Sequence, residues 1–76
     1  MPKLNPISWR KFDKFVIAQG CILERISGDH RIYWKKGLKR PVVFPQDDPV
    51  PVFIIRNNLR ILGMSTKEYS DTIYKF

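Results

Sequence analysis

His30 is the only histidine in the sequence, and it directly follows the dipeptide Gly28-Asp29. An imidazole exchanges a proton near neutral pH, which suits general acid or base catalysis. Gly-Asp favours a two-residue hairpin loop, and such a turn would leave His30 partly exposed at the end of a sheet. The Asp29 carboxylate would interact with the ring if the two side chains approach. The alternative is a surface histidine with no special role.

A basic cluster with interspersed aromatic residues surrounds this histidine in the sequence. Clustered cations attract phosphates, with an affinity that falls as salt rises. Aromatic side chains among cations also stack on unpaired bases. The residues that this pattern assigns to RNA binding are Arg31, Tyr33, Lys35, Lys36, Lys39 and Arg40. The last four of them flank one hairpin turn, so we expect them to converge in space.

The faces of the strand after His30 follow from simple alternation. Strand residues point to opposite faces in turn, so one of Tyr33 and Trp34 should belong to the core. Trp34 shares a face with Ile32, and we expect it to be the buried residue. Tyr33, Arg31 and Lys35 would then share the open face.

Charge narrows the class of protein. The 76 residues carry 14 Lys and Arg against seven Asp and Glu, which gives a net charge of +7. An excess of this size on one small domain is typical of proteins that bind a polyanion, most often nucleic acid. The sequence therefore indicates RNA or DNA as a partner.

Cysteine content and hydropathy exclude other classes. One cysteine and one histidine cannot supply an internal disulfide or the four ligands of a structural zinc site. We therefore expect no metal and no small-molecule cofactor, and we interpret Cys21 as a small buried apolar group. No apolar run approaches the roughly 18 residues of a membrane span, and no secretory signal is visible. A cytoplasmic protein without membrane contact is expected.

Capping and periodicity predict the elements that position these residues. Ser8 is a good N-cap, and apolar residues at i, i+3 and i+4 follow it as far as Gly20, which predicts a helix over residues 8–19. Runs rich in β-branched and aromatic residues, separated by turns, then predict an antiparallel meander. Its three strands are residues 21–26, 30–35 and 39–44, and Pro41 places the start of the third at an edge or beyond the ladder.

The second half of the chain is predicted to be helical. A stiff loop with Asp47 and Asp48, which we interpret as solvated or helix-capping, leads to a helix over residues 52–62 with Gly63 as its stop. Ser65 has the spacing of a capping box and begins a last short helix. The result is a single α+β domain over residues 1–76, a small two-layer αβββα sandwich with a short extra C-terminal helix. This layer order is that of double-stranded-RNA-binding-domain-like folds.

Four segments, taken in order, give the sequence a resemblance to a known family. They are the Ser-capped helix that runs into Gly20-Cys21-Ile22, the turn and strand Gly28-Asp29-His30-Arg31-Ile32-Tyr33, the strand Val42-Val43-Phe44-Pro45, and the helix over residues 55–65 that ends in Gly63-Met64-Ser65. In this order, spacing and total length, nearly the whole chain resembles the HicA toxins, also called YcfA-like proteins.

The resemblance implies a function. HicA proteins are toxins of type II toxin–antitoxin pairs, have a double-stranded-RNA-binding-domain-like fold and act as ribonucleases on mRNA. A cognate antitoxin protein binds them and covers the active-site histidine, which corresponds to His30 in the Gly-Ser-His motif of the family. The hypothesis is therefore a metal-independent endoribonuclease in which His30 transfers a proton.

Two alternatives remain open, and departures from the family pattern motivate the first of them. Asp29 replaces the usual serine, and Arg31 stands where the family often has a second histidine. The first alternative is a non-catalytic RNA-binding module of the same fold. The second is a DNA-binding regulator that uses the turn Gly63-Met64-Ser65 as part of a helix-turn-helix.

Overall fold

Three antiparallel strands lie between a first helix and two later ones in the computed structural model, which describes residues 3–76. The elements are α1 (Trp9–Ala18), β1 (Ile22–Ser27), β2 (His30–Trp34), β3 (Val42–Pro45), α2 (Val52–Leu62) and α3 (Thr66–Ile73). This order confirms the predicted αβββα sandwich with a short extra C-terminal helix. Residues 1 and 2 of the predicted domain lie outside the described residues.

Helix α1 begins and ends where its capping residues require. The Ser8 hydroxyl accepts a hydrogen bond from the backbone N–H of Arg10 at 3.3 Å. Gly20 follows the helix with a φ of 94°, a left-handed conformation that favours glycine. The apolar face predicted from the sequence is buried, and it consists of Phe12, Phe15 and Val16.

The sheet has the order β1-β2-β3, and both pairings are antiparallel. Ser27 pairs with His30, so Gly28 and Asp29 form a two-residue turn as predicted. Gly28 has a φ of 62°, which this tight turn requires. Strand β3 begins only at Val42, three residues later than predicted, because Pro41 has no N–H to donate to a ladder.

The core lies between the helices and one face of the sheet, and aromatic rings form its centre. The ring of Tyr33 on β2 stacks on that of Phe44 on β3, with centroids 5.3 Å apart. Phe12 of α1 meets Phe44 edge-on at 4.9 Å. Such offset and edge-on pairs stabilise a core beyond the apolar area that they bury. They fix α1 over strands β2 and β3.

The predicted burial of Trp34 in place of Tyr33 is wrong. Tyr33 has no exposed surface, whereas 38% of Trp34 is exposed. The phenol of Tyr33 finds hydrogen-bond partners on the covered side, as buried tyrosines usually do. The Tyr33 hydroxyl donates to the Asp13 carboxylate of α1 and accepts from Nε of Arg31. Arg31 and Tyr33 do share a face of the sheet, but it is the face that the helices cover.

Helix α2 closes the outer edge of the sheet through one buried amide. The side chain of Asn58 is 1% exposed, and its Nδ2 donates to the Val43 carbonyl at 2.9 Å. The Val43 N–H donates back to Asn58 Oδ1 at 3.3 Å. Both backbone groups would otherwise be unpaired, because β3 has a strand neighbour on one side only. Asn58 therefore holds α2 against β3.

The C-terminal elements follow their sequence signals. Helix α2 has the predicted bounds and ends at Gly63, whose φ is 70°. Ser65 and Glu68 form the predicted capping box at the start of α3. None of the helices in residues 3–76 has the length and hydrophobicity needed to cross a membrane.

Candidate active site

His30 is the first residue of β2 and lies directly after the turn between β1 and β2. Its side chain is 50% exposed, and Nδ1 is 2.9 Å from Oδ1 of Asp29. The predicted approach of these two side chains is therefore present. A carboxylate beside Nδ1 favours the tautomer that carries its proton there, which leaves Nε2 for other contacts.

The backbone holds this turn in place from two sides. His30 pairs with Ser27 of β1 and with Pro45 of β3, so it lies at the end of the central strand. The carbonyl of Asp29 accepts a hydrogen bond from the N–H of Gln46 at 2.7 Å. The histidine and its carboxylate partner are thus anchored to the third strand as well as to their own hairpin.

His30 opens onto a groove of about 570 Å³ between β3 and α2. This groove faces solvent and combines apolar, amide and cationic side chains. The other residues that line it are Val43, Pro45, Phe53, Ile54, Arg56, Asn57 and Arg60. The edge of the sheet and one face of α2 therefore form the two walls beside the histidine.

Arg56 and Arg60 are the cations of this groove, and both are exposed. They are four residues apart on α2, so their side chains lie on the same face of the helix. Neither takes part in an ion pair within residues 3–76. Their guanidinium groups present planar sets of N–H donors, which match the geometry of a phosphate.

A second hollow continues the groove away from His30. It also has a volume of about 570 Å³, and Lys39 and Arg40 line it together with Gly37 and Ile61. The two hollows share Asn57 and Arg60. We name the combined surface the basic groove, with His30 at one end, Arg56 and Arg60 along α2, and Lys39 and Arg40 at the other end.

The structure separates the four cations that we expected to converge. Lys39 and Arg40 line the basic groove, whereas Lys35 and Lys36 line a third hollow with Trp34 and Ile22. The reason is the position of the turn between β2 and β3. Its first half continues β2 toward β1, and its second half approaches α2.

Arg31 lies on the covered face of the sheet. Its Nε donates to the Tyr33 hydroxyl at 2.8 Å and lies 3.6 Å from Oδ1 of Asp13. Its guanidinium carbon is 5.0 Å from the centre of the Trp9 ring, and 15% of the side chain is exposed. We expected Arg31 to bind phosphate, but its guanidinium contacts Tyr33, Asp13 and Trp9 instead.

Tyr33 also loses its predicted role in base stacking, because a fully buried ring offers no face to a base. Burial raises the pKa of Tyr33 to about 12, and the hydrogen bond to the Asp13 carboxylate contributes to this shift. The phenol therefore stays protonated and donates to Asp13. Tyr33 and Arg31 link α1 to β2 next to His30, and they are not candidates for contact with RNA.

The side of the site that α2 provides was not expected from the sequence. The periodic pattern predicts only the apolar face of this helix, and the opposite face carries Phe53, Arg56, Asn57 and Arg60. The signal was present as two arginines at i and i+4 on a helix whose buried apolar residues, Ile55 and Leu59, lie on the other side. Their proximity to His30 follows only from the contact between Asn58 and Val43.

The other groups that could perform chemistry are structural. Cys21 is buried as predicted, and burial raises the pKa of its thiol, which disfavours the nucleophilic thiolate. Residues 3–76 contain no cluster of three or more His, Cys, Asp or Glu side chains that could hold a metal ion.

Comparison with known proteins identifies a family for the chain. A family model described as "HicA toxin of bacterial toxin-antitoxin" matches residues 9–64. No curated protein and no solved structure matches the chain. The matched segment runs from α1 to the residue after Gly63 and includes His30 and the whole basic groove. Because the match covers well over half of the 76 residues, the chain belongs to the HicA toxin family of toxin–antitoxin pairs.

Proposed function

We propose that this toxin is an endoribonuclease that cuts mRNA in the cytoplasm and uses His30 to transfer a proton. The observation that supports this proposal is the position of His30 at one end of the basic groove. A half-exposed imidazole with a carboxylate on Nδ1 faces a surface with two arginines that form no ion pair among residues 3–76. This combination places a proton-transfer group beside a binding site for phosphates.

The proposed reaction uses the ribose itself as the nucleophile. Nε2 of His30 accepts the proton of the 2′-OH, and the 2′-oxygen forms a bond to the adjacent phosphorus. The bond from phosphorus to the 5′-oxygen of the next nucleotide breaks, which yields a 2′,3′-cyclic phosphate and a 5′-hydroxyl. The leaving oxygen takes its proton from water or from the histidine ring, since the ring has gained one. This route needs no metal ion.

Arg56 and Arg60 have separate tasks in this proposal. Arg56 lines the hollow that contains His30, and its guanidinium would stabilise the charge that develops on the phosphorane oxygens. Arg60 lines both hollows and would bind the next phosphate of the strand. Lys39 and Arg40 would continue this path, and the remaining predicted contacts, Lys35 and Lys36, would bind RNA only if it extends beyond the turn.

The family also implies a protein partner. A member of a toxin–antitoxin pair has a cognate antitoxin, and we propose that this antitoxin covers His30 and the basic groove. An acidic surface would complement the net charge of +7. Occlusion of the groove would block entry of RNA without a change in the fold of the toxin.

The test is an RNA cleavage assay with the purified chain and its His30→Ala variant. Both are incubated with a mixed single-stranded transcript in the presence of EDTA. The wild type should cut, and the variant should be slower by about two orders of magnitude or more, the usual scale for proton-transfer catalysis. An unchanged circular dichroism spectrum of the variant controls for folding. Equal cleavage by the two chains would refute the role of His30.

A substrate with 2′-deoxyribose at the cleavage site tests the nucleophile. It lacks the attacking hydroxyl, so the proposed route predicts that this site resists cleavage while neighbouring ribose sites are still cut. Ready cleavage at the deoxyribose would contradict attack by the 2′-oxygen and leave water as the nucleophile.

One observation favours a second candidate, the non-catalytic RNA-binding module. Asp29 is 67% exposed beside His30, and its negative charge would repel a phosphate at the position where the family has serine. This candidate predicts salt-sensitive RNA binding without products. The DNA-binding regulator has no comparable support, because Lys67 is the only cation of α3 and it pairs with Asp71 at 3.0 Å.

A further inference from the structure

Phe53 is a large aromatic side chain in the first turn of α2, and 69% of it is exposed. Helix α2 packs on the core through Ile55 and Leu59, and Phe53 contributes nothing to that contact. Single exposed apolar residues are common on protein surfaces and need no explanation by themselves. The position of Phe53 distinguishes it, because its ring lines the same hollow as His30.

We propose that Phe53 is a stacking platform for the unpaired base next to the scissile phosphate. This inference rests on the proposed function and specifies how the site holds its substrate. Arg56 is three residues further along α2, so ring and guanidinium lie on one side of the helix. A nucleotide bound there meets a flat apolar surface for its base and a cation for its phosphate. Sites for single-stranded nucleic acid combine these two elements.

The substrate class follows from this arrangement. Bases in a duplex are stacked on one another and are not available to a protein ring, so the site requires single-stranded RNA. Every base has a π-face, so stacking on Phe53 tolerates all four bases. We infer that this contact selects unpaired nucleotides and contributes little sequence preference.

Two other exposed aromatic residues provide comparisons. Tyr74 is 71% exposed and lines a hollow with Lys3 and Lys11, and His30 is not among the residues that line this hollow. Trp34 is 38% exposed and lines the hollow that contains Lys35 and Lys36. Both combine a ring with lysines, but neither lies beside His30. Variants of Tyr74 and Trp34 therefore show whether RNA binding depends on a ring beside His30 or on any exposed ring of this basic protein.

The experiment measures binding in the full chain that carries His30→Ala, so that bound RNA stays intact. The probe is a short single-stranded RNA with one 2-aminopurine, whose fluorescence is quenched when it stacks on an aromatic ring. Phe53→Leu should weaken binding by about tenfold and abolish the quenching, because it keeps an apolar side chain but removes the π-face. Phe53→Tyr keeps the ring and should bind like the parent, as should Tyr74→Leu.

Three results would overturn the inference. The first is Phe53→Leu binding the single strand as tightly as the parent with quenching intact. The second is that Trp34→Leu, and not Phe53→Leu, weakens binding and abolishes quenching, which would place the base in the hollow lined by Trp34. The third is tighter binding of a duplex of the same length than of the single strand. Thermal unfolding of each variant verifies that the exposed substitutions leave the fold intact.

Failure of this inference is distinguishable from failure of the proposed function. Binding and quenching are measured on a chain that cannot use His30, so they do not depend on cleavage. In the otherwise wild-type chain, Phe53→Leu should raise KM with a smaller effect on kcat. If Phe53→Leu left KM and kcat of RNA cleavage unchanged, only the stacking site would be refuted. If the wild type bound RNA and quenched 2-aminopurine but never cut, only the ribonuclease activity would be refuted.

Discussion

Oδ1 of Asp29 lies 2.9 Å from Nδ1 of His30, where the turn that joins β1 and β2 runs into the first residue of β2. In the proposed reaction the carboxylate would orient the ring, and its negative charge would lie close to the phosphate that His30 serves. Both side chains are at least half exposed, so solvent weakens each of these effects. Asp29 is therefore expected to influence turnover and substrate binding in opposite directions.

Asp29→Asn should reveal both effects in one set of kinetic measurements. The amide keeps the shape of the side chain but removes its charge, so kcat should fall by about threefold to tenfold. The effect is far smaller than the roughly 10⁴-fold loss at a buried catalytic aspartate, because this pair is exposed. KM should fall as well, because repulsion of phosphate is lost, and the decrease should shrink at high salt. An unchanged kcat would exclude an orienting role for Asp29.

Arg56→Ala and Arg60→Ala should each weaken binding of single-stranded RNA. A lost phosphate contact also reduces the slope of log K against log salt, by about 0.7 for each contact to a single strand. Binding titrations at several salt concentrations measure both quantities. Arg25→Ala is the matched control, because it removes the same charge from an exposed residue of β1 outside the groove. An equal loss in the control would indicate general attraction to a basic protein.

Asn58→Ala should lower the free energy of unfolding by about 2 kcal/mol. The substitution removes a buried amide and leaves the N–H and carbonyl of Val43 without their partners. Chemical denaturation provides the measurement. Asn57→Ala is the control. It alters the preceding residue, whose side chain is exposed, and it should change the free energy of unfolding by less than about 0.5 kcal/mol. Similar values for the two variants would refute the role assigned to Asn58.

Tyr33 should make the stability of the protein sensitive to alkaline pH. Its pKa in the folded chain is about 12, above the value of 10 for an unperturbed phenol. The neutral form is therefore favoured by folding, and this contribution is fully present below pH 10. It is lost as the pH rises from 10 toward 12 and amounts to about 3 kcal/mol.

Tyr33→Phe tests this assignment, because it keeps the ring and removes the group that ionises. At neutral pH the variant should lose about 1 kcal/mol with its hydrogen bonds. Its unfolding free energy should then fall less steeply than that of the wild type above pH 10. Burial also raises the pKa of Tyr69, so some dependence on pH should persist. Parallel profiles for the two chains would contradict the prediction.

The elements could be predicted from the sequence because local signals mark their ends. Ser8 and Gly20 bound α1, Gly63 ends α2, and the capping box at Ser65 begins α3, each through its own backbone geometry. These preferences act over a few residues and do not depend on the rest of the fold. The turn before His30 was predictable for the same reason.

The face assignment on β2 was not predictable in this way. Alternation shows that Tyr33 and Trp34 point to opposite faces, but it does not show which face the helices cover. The decision depends on Asp13, twenty residues earlier, whose carboxylate accepts the phenol proton on the covered side. The contribution of α2 to the site was unpredictable for a related reason. Arg56 and Arg60 line the same hollow as His30 only because α2 packs on β3.

The peripheral position of His30 has a consequence for the toxin as half of a pair. The ring contributes nothing to the core, so a chain altered only at this residue should keep its fold and the rest of the surface that we propose the antitoxin covers. If His30 transfers the proton as proposed, such a chain would act as a decoy that occupies antitoxin molecules without cutting RNA. Its expression beside an intact pair would leave wild-type toxin unneutralised, in proportion to the number of decoys present. One substitution at the start of β2 would thus convert the toxin into a chain that frees wild-type toxin from its antitoxin.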